Sequence, residues 1–410
     1  MNWIVSQVGA RQHYATPRAF QRRGELRTFY TDAWAGRMRG LLARGPGRTR
    51  ALADRFAADL PPEKVISSTA VTLFEQATAP LRIRHPSVAA THDEWSREGR
   101  RFATWVNRRL ARRPPDPATD AFYGCKTVCL ETLRPLRDRG IFTLVDQADP
   151  SRVEEELVRQ ERARWPGWER MSDPVPASYY GRCAAEWAAA DVVLVYSDWT
   201  RDAIASLGVP AEKIIVVPLA YEGNPTPPRT VGTGDRITVL WLGHVMLRKG
   251  IPYLIEAARQ LQDRPIDFVV AGQVHISDEA VRSAPANVRF IGRVFRGAAA
   301  EVYRSADLFV LPTISDSFAL TQVEAMAHGL PVIATARCGK VVTDGVDGRL
   351  VPTADAAALA AAIAGFAADR STLRRMSDAA RAKAATFTLD AYGQQVHDEV
   401  TRRRPSLAPR

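Results

Sequence analysis

Apolar runs of strand length alternate along this chain with segments of helical period. In the first half the runs are Trp3–Val8, Leu26–Tyr30, Lys64–Ser67, Ala121–Gly124, Ile141–Val145, Asp191–Tyr196 and Ile214–Val217. Helical stretches separate them, including a long one near Pro86–Arg112, and this order predicts a parallel α/β sheet. Glycine and proline then crowd residues 223–235, where no apolar period survives, so the stretch reads as a linker. The pattern restarts with strands over Arg236–Leu242, Asp267–Ala271, Val288–Ile291, Leu308–Leu311 and Pro331–Ala334. Helices are expected over Ile251–Gln262 and Ala319–His328, and over the late run Leu389–Val400. The predicted architecture is two doubly wound parallel sheets, residues 1–222 and 236–385, whose carboxyl edges face across a ligand cleft, followed by a tail at 386–410.

Composition changes this picture little, and charge changes it more. The 410 residues carry a formal net charge of +11, and residues 1–180, with 30 basic against 21 acidic side chains, hold most of it. Such asymmetry fits an anionic partner, a membrane surface or a nucleic acid. An arginine-rich composition, with only six lysines, accounts for it equally well. Much of the charge lies in Trp95–Arg113, where Trp95, Phe102, Val106 and Leu110 recur at helical spacing with arginines on the other faces. That helix either lies on an anionic membrane or packs its stripe on its own sheet. No nucleic-acid-binding module is recognisable, so nucleic acid is not expected as a partner. No apolar run is long enough to span a bilayer, the start Met1–Val5 lacks the pattern of a signal peptide, and the four cysteines form no C-x-x-C pair. A cytoplasmic location and no metal site are therefore expected.

Two segments carry chemistry. Gly243-His-Val-Met-Leu-Arg-Lys-Gly250 follows a strand and precedes a helix, where backbone can approach an anion and Arg248 and Lys249 can add charge-assisted hydrogen bonds to a phosphate. The plainer reading is a strand-to-helix turn with solvated basic residues. Leu311–Ile333 reads strand, loop, helix, turn, strand, and its Asp316 and Glu324 lie eight positions apart. Both carboxylates can face one ligand; alternatively Asp316 caps the helix and Glu324 is solvated on it.

Together, Gly243…Lys249-Gly250 and Asp316-x7-Glu324-Ala-Met-Ala-x-Gly-x-Pro-Val-Ile resemble glycosyltransferase family 4, with further likeness at Asp344–Val351, Tyr196–Thr200 and Val216–Pro218. The resemblance implies a GT-B fold, a retaining reaction and a nucleotide-sugar donor such as a UDP- or GDP-sugar, with no cofactor and no metal. It implies a glycan or lipid-linked acceptor bound by the first domain, for which peripheral membrane contact would suit, and a final helix returning to that domain. Lys249 would hold the donor diphosphate. The family's arginine falls on Gly243's neighbour His244, which is mostly uncharged near neutral pH unless a phosphate raises its pKa, and Arg248 would restore the charge. Asp316 would contact the sugar and Glu324 the ribose. The backbone of Ser317, Phe318, Ala319 and Leu320 would face the phosphates, although the family usually has glycine where Ala319 stands. Gly9, Ala10 and Arg11 would face the same phosphates from across the cleft, and the turn carrying Arg293 and Val294 would meet the base. The family histidine of the first domain is replaced by Asp146, which would orient a sugar or acceptor hydroxyl or else cap the helix near Ser151. His92-Asp93 sits within a helical pattern and is read as a surface pair. Neither a P-loop nor an Asp-x-Asp triplet occurs, which speaks against a kinase or a metal-dependent transferase. The other readings are a nucleotide-sugar epimerase of the same fold and a catalytically silent sugar-nucleotide-binding relative.

Overall fold

The described residues form two sheets. The first has seven strands, and all are parallel: β1 (Asn2–Gln7), β2 (Leu26–Thr31), β3 (Val65–Ser67), β4 (Asp120–Cys125), β5 (Phe142–Asp146), β6 (Val192–Val195) and β7 (Ile214–Val216). They lie in the order β3-β2-β1-β4-β5-β6-β7. The second sheet has six: β8 (Ile237–Leu242), β9 (Ile266–Ala271), β10 (Val288–Gly292), β11 (Leu308–Leu311), β12 (Val332–Thr335) and β13 (Gly348–Val351), in the order β10-β9-β8-β11-β12-β13. This computed structural model describes residues 1–45, 52–73, 87–169, 173–223 and 236–407. All but the first residue of the expected linker therefore falls outside the described residues, as does the start of the predicted 86–112 helix.

In each sheet the strand order reverses beside the first strand, between β1 and β4 and between β8 and β11. Crevices form at such reversals, outside the carboxyl ends of the strands. The interior strands are buried along nearly their whole length, as helices on both faces demand. One strand was not expected. β13 pairs in parallel with β12, yet its central Arg349 and Leu350 are exposed, so its four residues carry no apolar run. Gly348 is required there because a Cβ would lie 2.0 Å from the Val332 carbonyl oxygen.

The arginine-rich segment is a 25-residue helix, α1 (Val88–Arg112), capped by the Ser87 side chain on the amide of Ala90. Its stripe of Phe102, Ala103, Val106 and Leu110 is buried within the first domain's core, against helices Leu130–Asp138 and Ala177–Ala189. Gly99 allows that approach, since a Cβ there would lie 2.1 Å from the Thr127 carbonyl oxygen. Each of the large apolar residues gains roughly 1.5–3 kcal/mol from burial. The membrane-lying alternative for this stripe is thus replaced by internal packing; only Trp95, 49% exposed, stands outside it. His92 lies on the same helix, its Nδ1 2.8 Å from the Val88 carbonyl oxygen.

The last long helix, Leu389–Arg403, lies against helix Ala15–Arg22 of the first domain. Tyr392 Oη is 3.1 Å from both Thr16 Oγ1 and Tyr123 Oη, and Gly393 admits the Arg23 side chain. No helix among the described residues is long and apolar enough to cross a membrane. All four cysteines are buried and unpaired with one another.

Candidate active site

The loop after β8 and the loop after β11 are bound into one wall. Gly250 has φ +72°, and a Cβ there would sit 1.8 Å from the Pro312 carbonyl oxygen. The Arg248 carbonyl accepts from the Ile314 amide at 2.9 Å and from Thr313 Oγ1 at 3.0 Å. Thr335 Oγ1 holds the Thr313 carbonyl in turn at 2.7 Å. This stitching presents the Lys249 ammonium directly to the Asp316 carboxylate, with which it forms an ion pair. Arg248 donates to the Ser315 carbonyl at 3.1 Å, reaches Glu154 at 3.5 Å and lies 4.0 Å from Asp316. Burial alone would raise the pKa of Asp316, but Lys249 and Arg248 overcome it and hold the carboxyl below the ordinary range. For Arg248 burial opposes the charge, while Glu154 and Asp316 restore it and leave the guanidinium more basic than usual. Asp316 is therefore an ionised partner of two cations, and the reading of it as a simple helix cap is set aside.

The following loop is pinned from below. Phe318 is buried with its ring 5.9 Å from that of Phe387, and its carbonyl accepts from Gln322 and from the Gly339 amide. Ser317 Oγ lies 3.2 Å from Thr200 Oγ1 of the first domain. Ala319 adopts φ +59°, the left-handed region that glycine occupies without strain. The helix that follows spans Thr321–Ala327, shorter at both ends than expected, so the amides at 319 and 320 precede its first turn. Glu324 accepts from Tyr303 Oη at 2.7 Å and is half-buried rather than solvated. With Leu320 it lines a cavity of about 510 Å³ between the domains, whose opposite side carries Gln12, His13 and Tyr221.

His244, next to Gly243, has its Nδ1 3.0 Å from Nε2 of His275, a residue that the motifs did not single out. Partial burial, His275, Lys249, Arg248 and Arg293 push His244 below the ordinary histidine range. Arg293 is exposed, its guanidinium 5.0 Å over the Phe295 ring, while Val294 is half-buried against the core.

The first domain answers differently. The Gly9 amide donates to Asp32 Oδ1 at 2.8 Å, and Gln7 Nε2 holds the carbonyls of Gly9 and Arg11. The Gly9 amide thus serves to fix its own loop. Arg11 sits within the electrostatic reach of Cys125, Asp146, Tyr196 and Tyr179. Asp146 ends β5, only 2% exposed, and accepts from Tyr196 Oη at 2.5 Å while its Oδ1 has no protein partner. It caps nothing: Asp149 accepts from the Ser151 amide at 3.0 Å instead. Burial raises the pKa of Asp146, with Arg11, Tyr196 and Tyr123 acting against it.

The two walls are joined by contacts that the sequence reading did not anticipate. Ser315 Oγ donates to Glu154 and accepts from Trp199 Nε1, at 2.9 and 3.1 Å. Tyr253 Oη donates to Glu161 at 2.6 Å, the Leu247 amide to Glu169 at 3.0 Å, and the Ser277 amide to the Trp168 carbonyl at 2.7 Å. Residues 152–169 of the first domain thereby grip the loop that carries Lys249. Their only sequence signal is an ordinary charge-rich helical pattern.

Residues 236–369, the domain that carries this wall, match the profile of the family described as Glycosyl transferases group 1. The family likeness is carried by the second domain. A D-inositol 3-phosphate glycosyltransferase of Xylanimonas cellulosilytica is 33% identical over 186 residues, covering 42% of this chain and 44% of that relative. The match thus spans less than half of either protein. Over whole chains the likeness is one of fold. Sucrose-phosphate synthase from Thermosynechococcus elongatus superposes with a TM-score of 0.66 at 18% identity, covering 100% of both chains. Anabaena HepE in complex with UDP and glucose does so with a TM-score of 0.60 at 15% identity, covering 98% of this chain and 100% of that one. The chain has the GT-B fold. Among its described residues no group of three or more His, Cys, Asp or Glu side chains is placed to hold a metal ion.

Proposed function

We propose that the whole chain is a retaining glycosyltransferase that moves a sugar from a nucleotide-sugar to a hydroxyl of a glycan, glycolipid or related acceptor, without a metal. The observation that carries the reading is the wall formed by Lys249, Arg248 and Asp316, with Glu324 in the adjoining cavity. Breaking a glycosyl–phosphate bond develops negative charge on the diphosphate and positive charge on the sugar. Fixed cations at the diphosphate stabilise that leaving group, usually the largest catalytic contribution. In this reading Lys249 turns from Asp316 toward the phosphates. Asp316, held ionised, then accepts hydrogen bonds from the sugar hydroxyls, and Glu324 accepts from the ribose. The acceptor hydroxyl enters on the sugar's donor face and a phosphate oxygen takes its proton, which retains the anomeric configuration. Because HepE is described with UDP and glucose, UDP-sugars are the first donors to try.

Asp146 faces the same cleft in this account, its unpartnered oxygen supplied for a sugar or acceptor hydroxyl. The cytoplasmic face of a membrane, where lipid-linked acceptors are exposed, is the proposed place of action. The test is to incubate the protein with UDP-glucose, GDP-mannose or ADP-glucose in the presence of a chelator and follow the anomeric proton by NMR. Release or transfer of sugar with retained configuration is expected. An inverted product, or turnover only when a divalent metal is restored, would overturn the mechanism.

A further inference from the structure

The cation side of the proposed diphosphate site is largely spoken for before any ligand arrives. Lys249 is paired with Asp316, and Arg248 lies between Glu154, Asp316 and the Ser315 carbonyl. A diphosphate bearing two negative charges therefore meets two cations whose charge is already offset. Across from them, three consecutive strand ends bring further nitrogen to the same edge. Gly272, φ +139°, makes this possible: its amide bonds to the Gly292 carbonyl at 2.7 Å, and a Cβ on it would lie 1.6 Å from the Gly243 carbonyl oxygen. The loops after β8, β9 and β10 are thus locked together. Val245 then donates to the Gln273 carbonyl at 2.9 Å and accepts from the His275 amide at 2.9 Å, which sets His275 beside His244.

One nitrogen of each ring is used in the 3.0 Å contact, so one ring must donate and the other accept. A single added proton goes onto the outward-facing nitrogen of the donating ring, and the hydrogen bond between the rings shares its charge over both. A second proton would place two cations in contact and is excluded. The groups acting on His244 are His275 from the β9 loop, Lys249 and Arg248 from its own loop, and Arg293 from the β10 loop. Behind them stand Asp316, which faces Lys249 and Arg248, and Glu154 and Glu169, which act on Arg248.

Building on the donor reading above, we propose that the His244–His275 pair is a proton-loaded phosphate ligand, empty of its extra proton in the free cleft and charged when a nucleotide-sugar diphosphate binds. Partial burial and the surrounding cations push His244 below the ordinary histidine range in the free cleft, and the incoming anion reverses that field. Binding then takes up a proton, by the same linkage that ties any pKa change to an equilibrium. The sign is fixed: the pair's pKa is higher in the complex, so affinity is greatest below the free pair's pKa and is lost as pH rises toward that of the complex. His275 joins the donor site only through this pair, which is why no motif marks it.

The experiment is titration calorimetry of the full chain with UDP-glucose, GDP-mannose and ADP-glucose between pH 6 and 9, in buffers of different ionisation enthalpy. Nucleotide-sugars are the right probes because both phosphates are esterified and neither titrates in this range, unlike the terminal phosphate of UDP, which has a pKa of about 6. For the wild type the expected result is uptake of up to one proton per site and a Kd that rises by as much as about tenfold per pH unit through the transition. In His244→Arg, where the charge is permanent, the proton uptake and the slope should disappear while binding persists at high pH. A wild-type Kd that does not change with pH, and no proton uptake, would overturn the pair's role and leave the donor site standing. Failure of every nucleotide-sugar to bind either protein at any pH would overturn both.

Discussion

The two sheet edges that face the cleft are built alike but surround their ionisable groups differently. Both follow parallel strands at the point where strand order reverses, and both begin with a glycine-containing loop after the first strand. On the second domain's edge the ionisable groups meet as ion pairs, Lys249 with Asp316 and Arg248 with Glu154 of the first domain. On the first domain's edge Asp146, Cys125, Tyr123 and Tyr196 are all buried, and burial raises the pKa of each. The first arrangement keeps its groups ionised as partners of one another. The second opposes charge by burial and leaves one oxygen of the Asp146 carboxyl without a protein partner. The second domain carries these groups on its loops, and the first carries most of them at its strand ends.

Unlocking the loops after β8, β9 and β10 has the largest expected effect. Gly272→Ala drives a Cβ into the Gly243 carbonyl and should cost about 3 kcal/mol or more, seen as a fall in the denaturation midpoint or loss of folded protein. Lys249→Ala should leave the fold intact but lower kcat/KM for donor turnover by about 100-fold or more, the usual cost of losing one fixed charge from a leaving-group site. Asp146→Asn probes the other wall by pH. Because the folded-state pKa of Asp146 is raised, its stabilising contribution is present below the ordinary aspartate range and lost as pH rises through the raised value. The wild type should therefore lose stability relative to Asp146→Asn between those two values, and equal melting curves at all pH would refute a suppressed charge. Ala319→Gly, finally, should be neutral to stabilising by up to about 1 kcal/mol, because it removes a left-handed alanine.

How far each wall could be read from sequence follows the same division. Interior strands announce themselves as apolar runs because helices cover both faces, and the resemblance around Lys249 and Asp316 led to the loops that the structure stitches together. β13 escaped because two of its four residues are exposed at the sheet's edge. His275 escaped because it stands 31 positions from His244, and only the parallel pairing of β8 with β9 brings them together. The grip of residues 152–169 on the Lys249 loop rests on Glu154, Glu161 and Glu169, which in sequence are indistinguishable from solvated helix charges. Asp146 was located correctly at a strand end, but its burial, which decides its chemistry, is set by Tyr196 from a neighbouring strand's end and by the Arg11 loop.

The central claim, that this wall holds a nucleotide-sugar, is tested most directly by a thermal-shift panel of UDP-, GDP- and ADP-sugars on the wild type and on Glu324→Ala. A ligand that binds only the folded state stabilises it by about 2.7 kcal/mol at one hundred times its Kd. The account predicts a raised melting temperature with one nucleotide class and its loss in Glu324→Ala. No shift with any of the three at millimolar concentration would contradict it.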